Sequence, residues 1–348
     1  MATRVRSRSR SRCRGFIIRI INDASININF ENDGPASKVS PMDTSFAPSV
    51  PSTPSVSRAA PSPWALAAAG TLFSFLWASA FIAGKIGFTA CGPLTLLSLR
   101  FTLVGLVLAV ALALQRQRLR VSGRAVLAGL LSNAVYLGLA YSGMTHVPAA
   151  LTAIIVCTTP LLVVALGAWL GRERLGARAG WGLALAFGAV VMIMGQRLHL
   201  DGLAPWAVGL IAAGTLALAL GTRLNQGVAG REDPWQVACA QLLASGLVLL
   251  PLAWATEGLQ VRWGAAFWGS LLYQAGPVSL GTTLILLWLV RQGGASRASS
   301  FHLLSPFFSI ALAVGLLGER LYPLDLLGLL PLVAGMALVL HRPAPARR

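Results

Sequence analysis

The sequence predicts an all-α integral membrane protein of ten transmembrane helices, arranged as two inverted five-helix repeats. Three observations predict it: apolar runs that recur from residue 64 to residue 341, a charge content far below that of a soluble protein, and one helix-end motif that returns at a fixed offset. Of 348 residues, 55% are hydrophobic and 11% charged, with a mean hydropathy of +0.70. A soluble domain carries about 25% charged residues to cover its surface. This chain lacks them, so lipid is its solvent.

The apolar runs span approximately 64–83, 94–114, 124–144, 148–170, 178–195, 205–222, 235–255, 265–290, 297–317 and 324–341. Each approaches the roughly 20 residues that cross a bilayer core of about 30 Å. Turn-forming residues separate them, as at Cys91-Gly92-Pro93, Asp233-Pro234, Gly293-Gly294 and Tyr322-Pro323.

Residues 1–62 are different material. Arg4 to Arg14 form an Arg-Ser repeat, and a Ser/Pro-rich stretch follows that cannot bury enough apolar surface to offset its chain entropy. We expect a disordered cytoplasmic tail. Clustered arginines suit nucleic acid or anionic lipid headgroups, but no stacking aromatics interleave, so no nucleic-acid partner is expected. Translation from Met42, which would remove residues 1–41, is an open alternative.

The net charge of +17 is unevenly spread. Alternate connections carry Arg116, Arg118, Arg120 and Arg124; then Arg172, Arg174 and Arg178; then Arg223 and Arg231; then Arg291 and Arg297. The opposite connections carry one basic residue each: Lys85, Arg197, Arg262 and Arg320. The positive-inside rule then puts both termini in the cytoplasm and requires an even number of spans. Cys91, Cys157 and Cys239 have no metal-ligand or disulfide-framework spacing and read as small apolar residues.

The fourth and fifth runs repeat in the ninth and tenth. Pro160 aligns with Pro306, Glu173-Arg174-Leu175 with Glu319-Arg320-Leu321, and Gly182 with Gly328, all at one offset of 146 (306 − 160, 319 − 173). A weaker echo aligns Pro93 with Pro234 and Arg100 with Gln241. Five helices per half force the second half to enter from the opposite side, the inverted-repeat arrangement of secondary transporters. The first repeat is expected over 63–196 and the second over 203–341.

An apolar helix ending in GRERL or GERL, followed by a Gly-rich helix once per half, resembles the EamA domain of the drug/metabolite transporter superfamily. WASAFIAGK (Trp77 to Lys85) and PLTLLSLRF (Pro93 to Phe101) add to the resemblance, which covers roughly residues 64–341. It departs at Arg172, where the second half has Gly318, and at Arg100, which the second half lacks. The resemblance implies a ten-helix inner-membrane carrier, commonly exporting amino acids or related metabolites. Its central cavity would be lined by the first, third and fourth helices of each half.

On those helices the cavity candidates are Trp77, Tyr136, Tyr141, Thr158, Thr159, Tyr273, Gln274, Trp288 and His302. Trp64, Trp206 and Trp263 read as interfacial belt residues. Arg100, Glu173, Arg174, Glu319 and Arg320 are candidates for a charged gate or for fixing topology. For the glutamates an interfacial ion pair at a helix end is the simpler reading. Arg100 lies well inside an apolar run, where it either faces the cavity or snorkels to the interface. Histidine in general changes charge near neutral pH, which makes His302 a candidate proton carrier and the proton a candidate coupling ion, although a hydrogen-bonded packing role fits equally.

No HExxH, GxSxG or P-loop is present, so no enzyme activity, cofactor or metal is expected. The expected partners are a small-molecule substrate and the lipid bilayer; no feature fixes an oligomeric state. The expected function is export of a small metabolite such as an amino acid across the inner (plasma) membrane by alternating access. The alternative is a non-transporting scaffold or sensor acting through the basic tail.

Overall fold

A computed structural model of the chain describes residues 62–169, 177–200, 203–228, 231–286, 288–289, 292, 301–320 and 322–340. The expectations for residues 1–61, and for Glu173 and Arg174, lie outside the described residues. From residue 63 onward the chain forms one compact unit. Ten helical segments follow in order: α1 Pro63–Phe88, α2 Pro93–Leu114, α3 Gly123–Met144, α4 Ala149–Trp169, α5 Ala177–Leu200, α6 Pro205–Gln226, α7 Pro234–Glu257, α8 beginning at Ala265–Tyr273, α9 Ser305–Leu317 and α10 Pro323–Leu340. Six of them, α1 to α4, α6 and α7, are long and apolar enough to cross a membrane, and α5, α9 and α10 contain shorter apolar helices.

Local chemistry sets the helix ends. Proline occupies the first turn of α2, α6 and α7, where its missing N–H has no intrahelical partner to lose. Asp233 caps α7, its carboxylate accepting from the Trp235 and Gln236 amides at 2.9 Å. Gly258 and Gly318 end α7 and α9 in the left-handed conformation, with φ of 66° and 65°.

Four helices depart from α geometry, and the departures fall at matching places in the two halves. A π-helical turn interrupts α3 at Leu130–Val135, and another continues α8 over Gln274–Gly281. In α4, Pro160 has no N–H to offer the Val156 carbonyl, and the Thr159 hydroxyl donates to that oxygen instead at 2.6 Å. Before Pro306, the repeat counterpart, α9 is preceded by a 3-10 turn, Phe301–Leu304.

Hydrogen bonds between connections define the two ends of the bundle. At the first end, the 89–92 and 258–264 connections meet: the Arg262 amide donates to the Ala90 carbonyl at 2.8 Å, and Cys91 pairs with Val261. The Ala149 amide at the start of α4 bonds to Glu319 at this end too. At the second end, the Arg120 amide donates to Gln236 at 2.8 Å and the Ser122 amide to Glu232 at 3.0 Å.

Tyr141, Phe73, Phe101 and Phe267 are fully buried between helices. Leu106, Val110, Leu247, Leu252, Leu327 and Leu330 stand exposed on helix flanks. An outward apolar surface of this kind suits lipid rather than water. Small residues bring backbones together. A Cβ added at Gly182 of α5 would lie 2.8 Å from the Gly335 carbonyl oxygen of α10, and one at Gly335 only 2.5 Å from that of Gly182.

Candidate functional site

Polar residues inside apolar helices converge on one cavity of about 390 Å³ between α1, α2, α3, α6, α7 and α8. Trp77, Phe81, Phe101, Tyr136, Leu137, Leu242 and Leu286 form its apolar walls. Arg100, Ser132, Asn133, Tyr141, Thr222, Asn225, Gln241 and Ser279 supply the polar groups. It extends lengthwise through the bundle. Arg100 lies seven residues into α2, about 10 Å from the first end at 1.5 Å per residue. Thr222 and Asn225 are in the last turns of α6, beside the second end.

Arg100 is 6% exposed, which excludes the snorkelling reading. Its Nε donates to Ser279 Oγ at 3.0 Å and its Nη1 to Gln274 Oε1 at 2.9 Å. Tyr141 OH donates to the same Gln274 oxygen at 2.8 Å, with the Ala80 carbonyl at 3.1 Å. The Gln274 amide nitrogen donates to Ser270 Oγ at 3.0 Å, and Ser270 donates to the Ala83 carbonyl at 2.6 Å. Arg100 therefore sits on a buried network that crosses α1, α2, α3 and α8. The π turn opening at Gln274 feeds it, since the Gln274 carbonyl accepts from Ser279 Oγ at 2.8 Å. Such turns recur at functional sites because they free backbone groups and redirect side chains.

An offset of 141 (241 − 100, 274 − 133) carries Arg100 onto Gln241 and Asn133 onto Gln274. The first pair member in each half is on α2 or α7, the second on the π turn of α3 or α8. Arg100 and Gln274 are bonded, whereas Gln241 bonds elsewhere: its Nε2 donates to Asn225 Oδ1 at 2.8 Å and to the Ala125 carbonyl at 3.0 Å.

At the first end two carboxylates cap helix N-termini. Glu257, closing α7, accepts from the Leu94 and Thr95 amides at 2.9 and 2.8 Å and from Thr95 Oγ1 at 2.6 Å. Glu319, after α9, accepts from the Ala149 and Ala150 amides at 2.6 and 3.1 Å. Each anion meets the positive end of a helix dipole and takes up amides that no carbonyl of that helix reaches. Burial and the Glu257 charge push the nearby Cys91 thiol up to about 11.

Of the sequence candidates, Trp77, Tyr136 and Tyr141 line the cavity beside Arg100, and Gln274 stands directly behind Arg100. Thr158 and Thr159 instead bond the Ile155 and Val156 carbonyls at the break in α4. Tyr273 points to Ser79, 2.7 Å away, in a separate groove, and Trp288 packs with Phe73 and Leu289. His302 belongs to the 3-10 turn before α9. Glu319 forms a helix cap, and Arg320 follows it in the connection after α9. Sequence reasoning missed Asn133, Asn225, Gln241, Ser279 and Glu257 as site residues; an amide side chain within an apolar run was the available signal for two of them, Asn133 and Gln241.

The EamA-like transporter family model matches this chain twice, over residues 63–195 and 205–341. An uncharacterised transporter of Bacillus subtilis, YvbV, is 30% identical over 275 residues, covering 76% of this chain and 88% of its own length. The uncharacterised inner membrane transporter YedA of Escherichia coli K12 is 26% identical over 279 residues, 78% of this chain and 89% of its own. A protein of Streptantibioticus cattleyicolor named "Probable terminal-alkyne amino-acid exporter" is 29% identical over 298 residues, 82% and 95% of the two chains. A crystal structure with 21% identity shares the fold with a TM-score of 0.59, covering 80% of this chain and 96% of that one. The chain is a membrane transporter by kinship, and it belongs to the EamA-like transporter family.

Proposed function

We propose that the protein is a secondary transporter that exports a small metabolite, an amino acid or related solute, across the inner membrane by alternating access. The ten helices act as two inverted five-helix halves, with both chain termini and the second end of the bundle facing the cytoplasm.

One observation carries this reading: a cavity of about 390 Å³ extends to the last turns of α6 at the second end, while at the first end Glu257 and Glu319 tie the end of α7 and the connection after α9 to the starts of α2 and α4. We read the second end as open and the first as closed, one of the two states that alternating access needs. The matched irregularities in α3 and α8 supply the symmetry by which the opposite state forms. There, Gln241 would close on Asn133 while Arg100 and Gln274 part. Arginines at the second end (Arg116, Arg118, Arg120, Arg124 and Arg231) support its cytoplasmic assignment. The exporter named among the relatives supports the solute class.

The test is flux of a labelled amino-acid and metabolite panel in proteoliposomes, with and without a pH gradient. Saturable flux of one solute class is expected, retained when residues 1–62 are deleted, and its response to the gradient reads proton coupling. Correctly folded protein that carries nothing across the panel would overturn the transport reading; loss of activity with the tail alone would favour the scaffold or sensor role.

A further inference from the structure

Resting on the transport reading, we propose that this cavity is built for solutes bearing one carboxylate and an otherwise neutral or apolar body, with Arg100 as the carboxylate anchor.

The case begins with charge. An arginine keeps its proton even when buried, and a buried cation needs an anion or several dipoles around it. Arg100 meets neutral side chains, Ser279, Gln274 and the Tyr141 hydroxyl, and its Cζ lies 5.4 Å from the Phe101 ring centroid. Every carboxylate among the described residues is engaged at a helix end or in a connection. Glu257 and Glu319 cap α2 and α4, Asp233 caps its own helix, Glu232 accepts from the Ser122 amide, and Asp325 accepts from the Tyr322 amide. The charge on the cavity wall thus has no counter-ion among the described residues, and a bound anion supplies one.

The guanidinium is also held ready. Gln274 Oε1 is shared with Tyr141, the Gln274 amide is fixed by Ser270, and Ser270 is fixed by the Ala83 carbonyl. A planar fork locked in place favours a carboxylate, which matches it in geometry. The remaining walls limit the rest of the solute: Trp77, Phe101, Leu137, Leu242 and Leu286 are apolar, and Asn133 and Gln241 are uncharged. A second carboxylate would be buried against apolar groups without a partner, so monocarboxylates and zwitterions with a neutral side chain fit, and dicarboxylates do not.

The experiment is calorimetric binding to the full chain in nanodiscs, using apolar and polar amino acids and short monocarboxylates, each beside its own amide, together with flux of the same solutes in proteoliposomes. The acids are expected to bind at least about tenfold more tightly than their amides, the effect of one charge-assisted hydrogen bond. Gln274→Glu, nearly isosteric, sets a carboxylate on Arg100 and is expected to lower affinity for the acids at least about tenfold while sparing the amides. Arg100→Lys is expected to keep part of the preference. Equal affinity for acid and amide in the wild type, or a folded Gln274→Glu protein that binds acids unchanged, would overturn the assignment. Saturable flux of amides but not acids would remove the carboxylate anchor and leave transport standing. No binding or flux of any solute would remove both.

Discussion

Removing the Glu257 carboxylate should unlatch the first end of the bundle. In the closed arrangement this group accepts three hydrogen bonds, at 2.9, 2.8 and 2.6 Å, from Leu94 and Thr95. Each is charge-assisted, and hydrogen bonds to charged groups contribute about 1.5–3 kcal/mol when buried. Glu257 is only half-buried, so solvent screens it and the sum is well below three full bonds. A helix cap contributes about 1 kcal/mol and a charge at a helix terminus up to about 1 kcal/mol more. We therefore expect Glu257→Gln, which keeps one acceptor oxygen, to weaken closure by about 1 kcal/mol, and Glu257→Ala by about 2 kcal/mol. The larger figure is a roughly 30-fold shift in the closed-to-open ratio, since about 1.4 kcal/mol is tenfold.

Cys91 reports that shift. It is buried in the 89–92 connection, and its thiol is pushed up to about 11 by burial and by Glu257. The reactive species is the thiolate, so at neutral pH ionisation alone slows labelling about hundredfold against a thiol of ordinary pKa near 9. In the wild type the rate of maleimide labelling at Cys91, read by peptide mass spectrometry, should climb about tenfold per pH unit from 7 to 10 without levelling. Both variants should label faster, Glu257→Ala the more so, and should level at lower pH because the nearby anion is gone. Rates equal to wild type in both variants would refute the latch.

Glu319→Gln should act on α4 as Glu257→Gln acts on α2, lowering the melting stability of the detergent-solubilised protein by about 1 kcal/mol while speeding flux. Tyr141→Phe removes the hydroxyl that meets Gln274 and the Ala80 carbonyl, and should cost about 1 kcal/mol in the same melt. Gly221→Leu drives a Cβ to 2.9 Å from the Ala128 carbonyl oxygen across the α3–α6 contact; loss of more than about 2 kcal/mol or failure to fold is expected, and a wild-type melt would contradict the packing.

Much of this architecture is legible in the amino-acid sequence, because lipid imposes a length and a polarity on each helix. Each of the ten apolar runs overlaps a described helical segment, and the motif repeated at Pro160 and Pro306 marks two of the four places where a helix loses regularity. Arg100 stood out because a charge in an apolar run has few places to go. What surrounds it did not stand out. Helices that are apolar on nearly every side have no periodic face to say which side meets the cavity, so Tyr273 and Trp288 were as eligible as Asn133 and Gln241. A π turn inserts one residue into the helical register without changing composition, which hid the redirection of Gln274. Glu257 carries no repeated motif, and its partner amides are 162 and 163 residues away.

Where Gly182 and Gly335 meet, α5 and α10 touch backbone to backbone. Neither helix can slide or roll against the other without driving a carbonyl oxygen into a main chain, so the two behave as a single post. By contrast, several contacts of α1 are between side chains: Ser79 against Tyr273 of α8, and Phe75 edge-on to Phe308 of α9 at 5.7 Å. Contacts of that kind re-form by rotating χ angles. The stiff and the yielding seams are thus unequally distributed, and under the alternating-access proposal the displacement that exposes the first end would fall to helices other than the α5–α10 post.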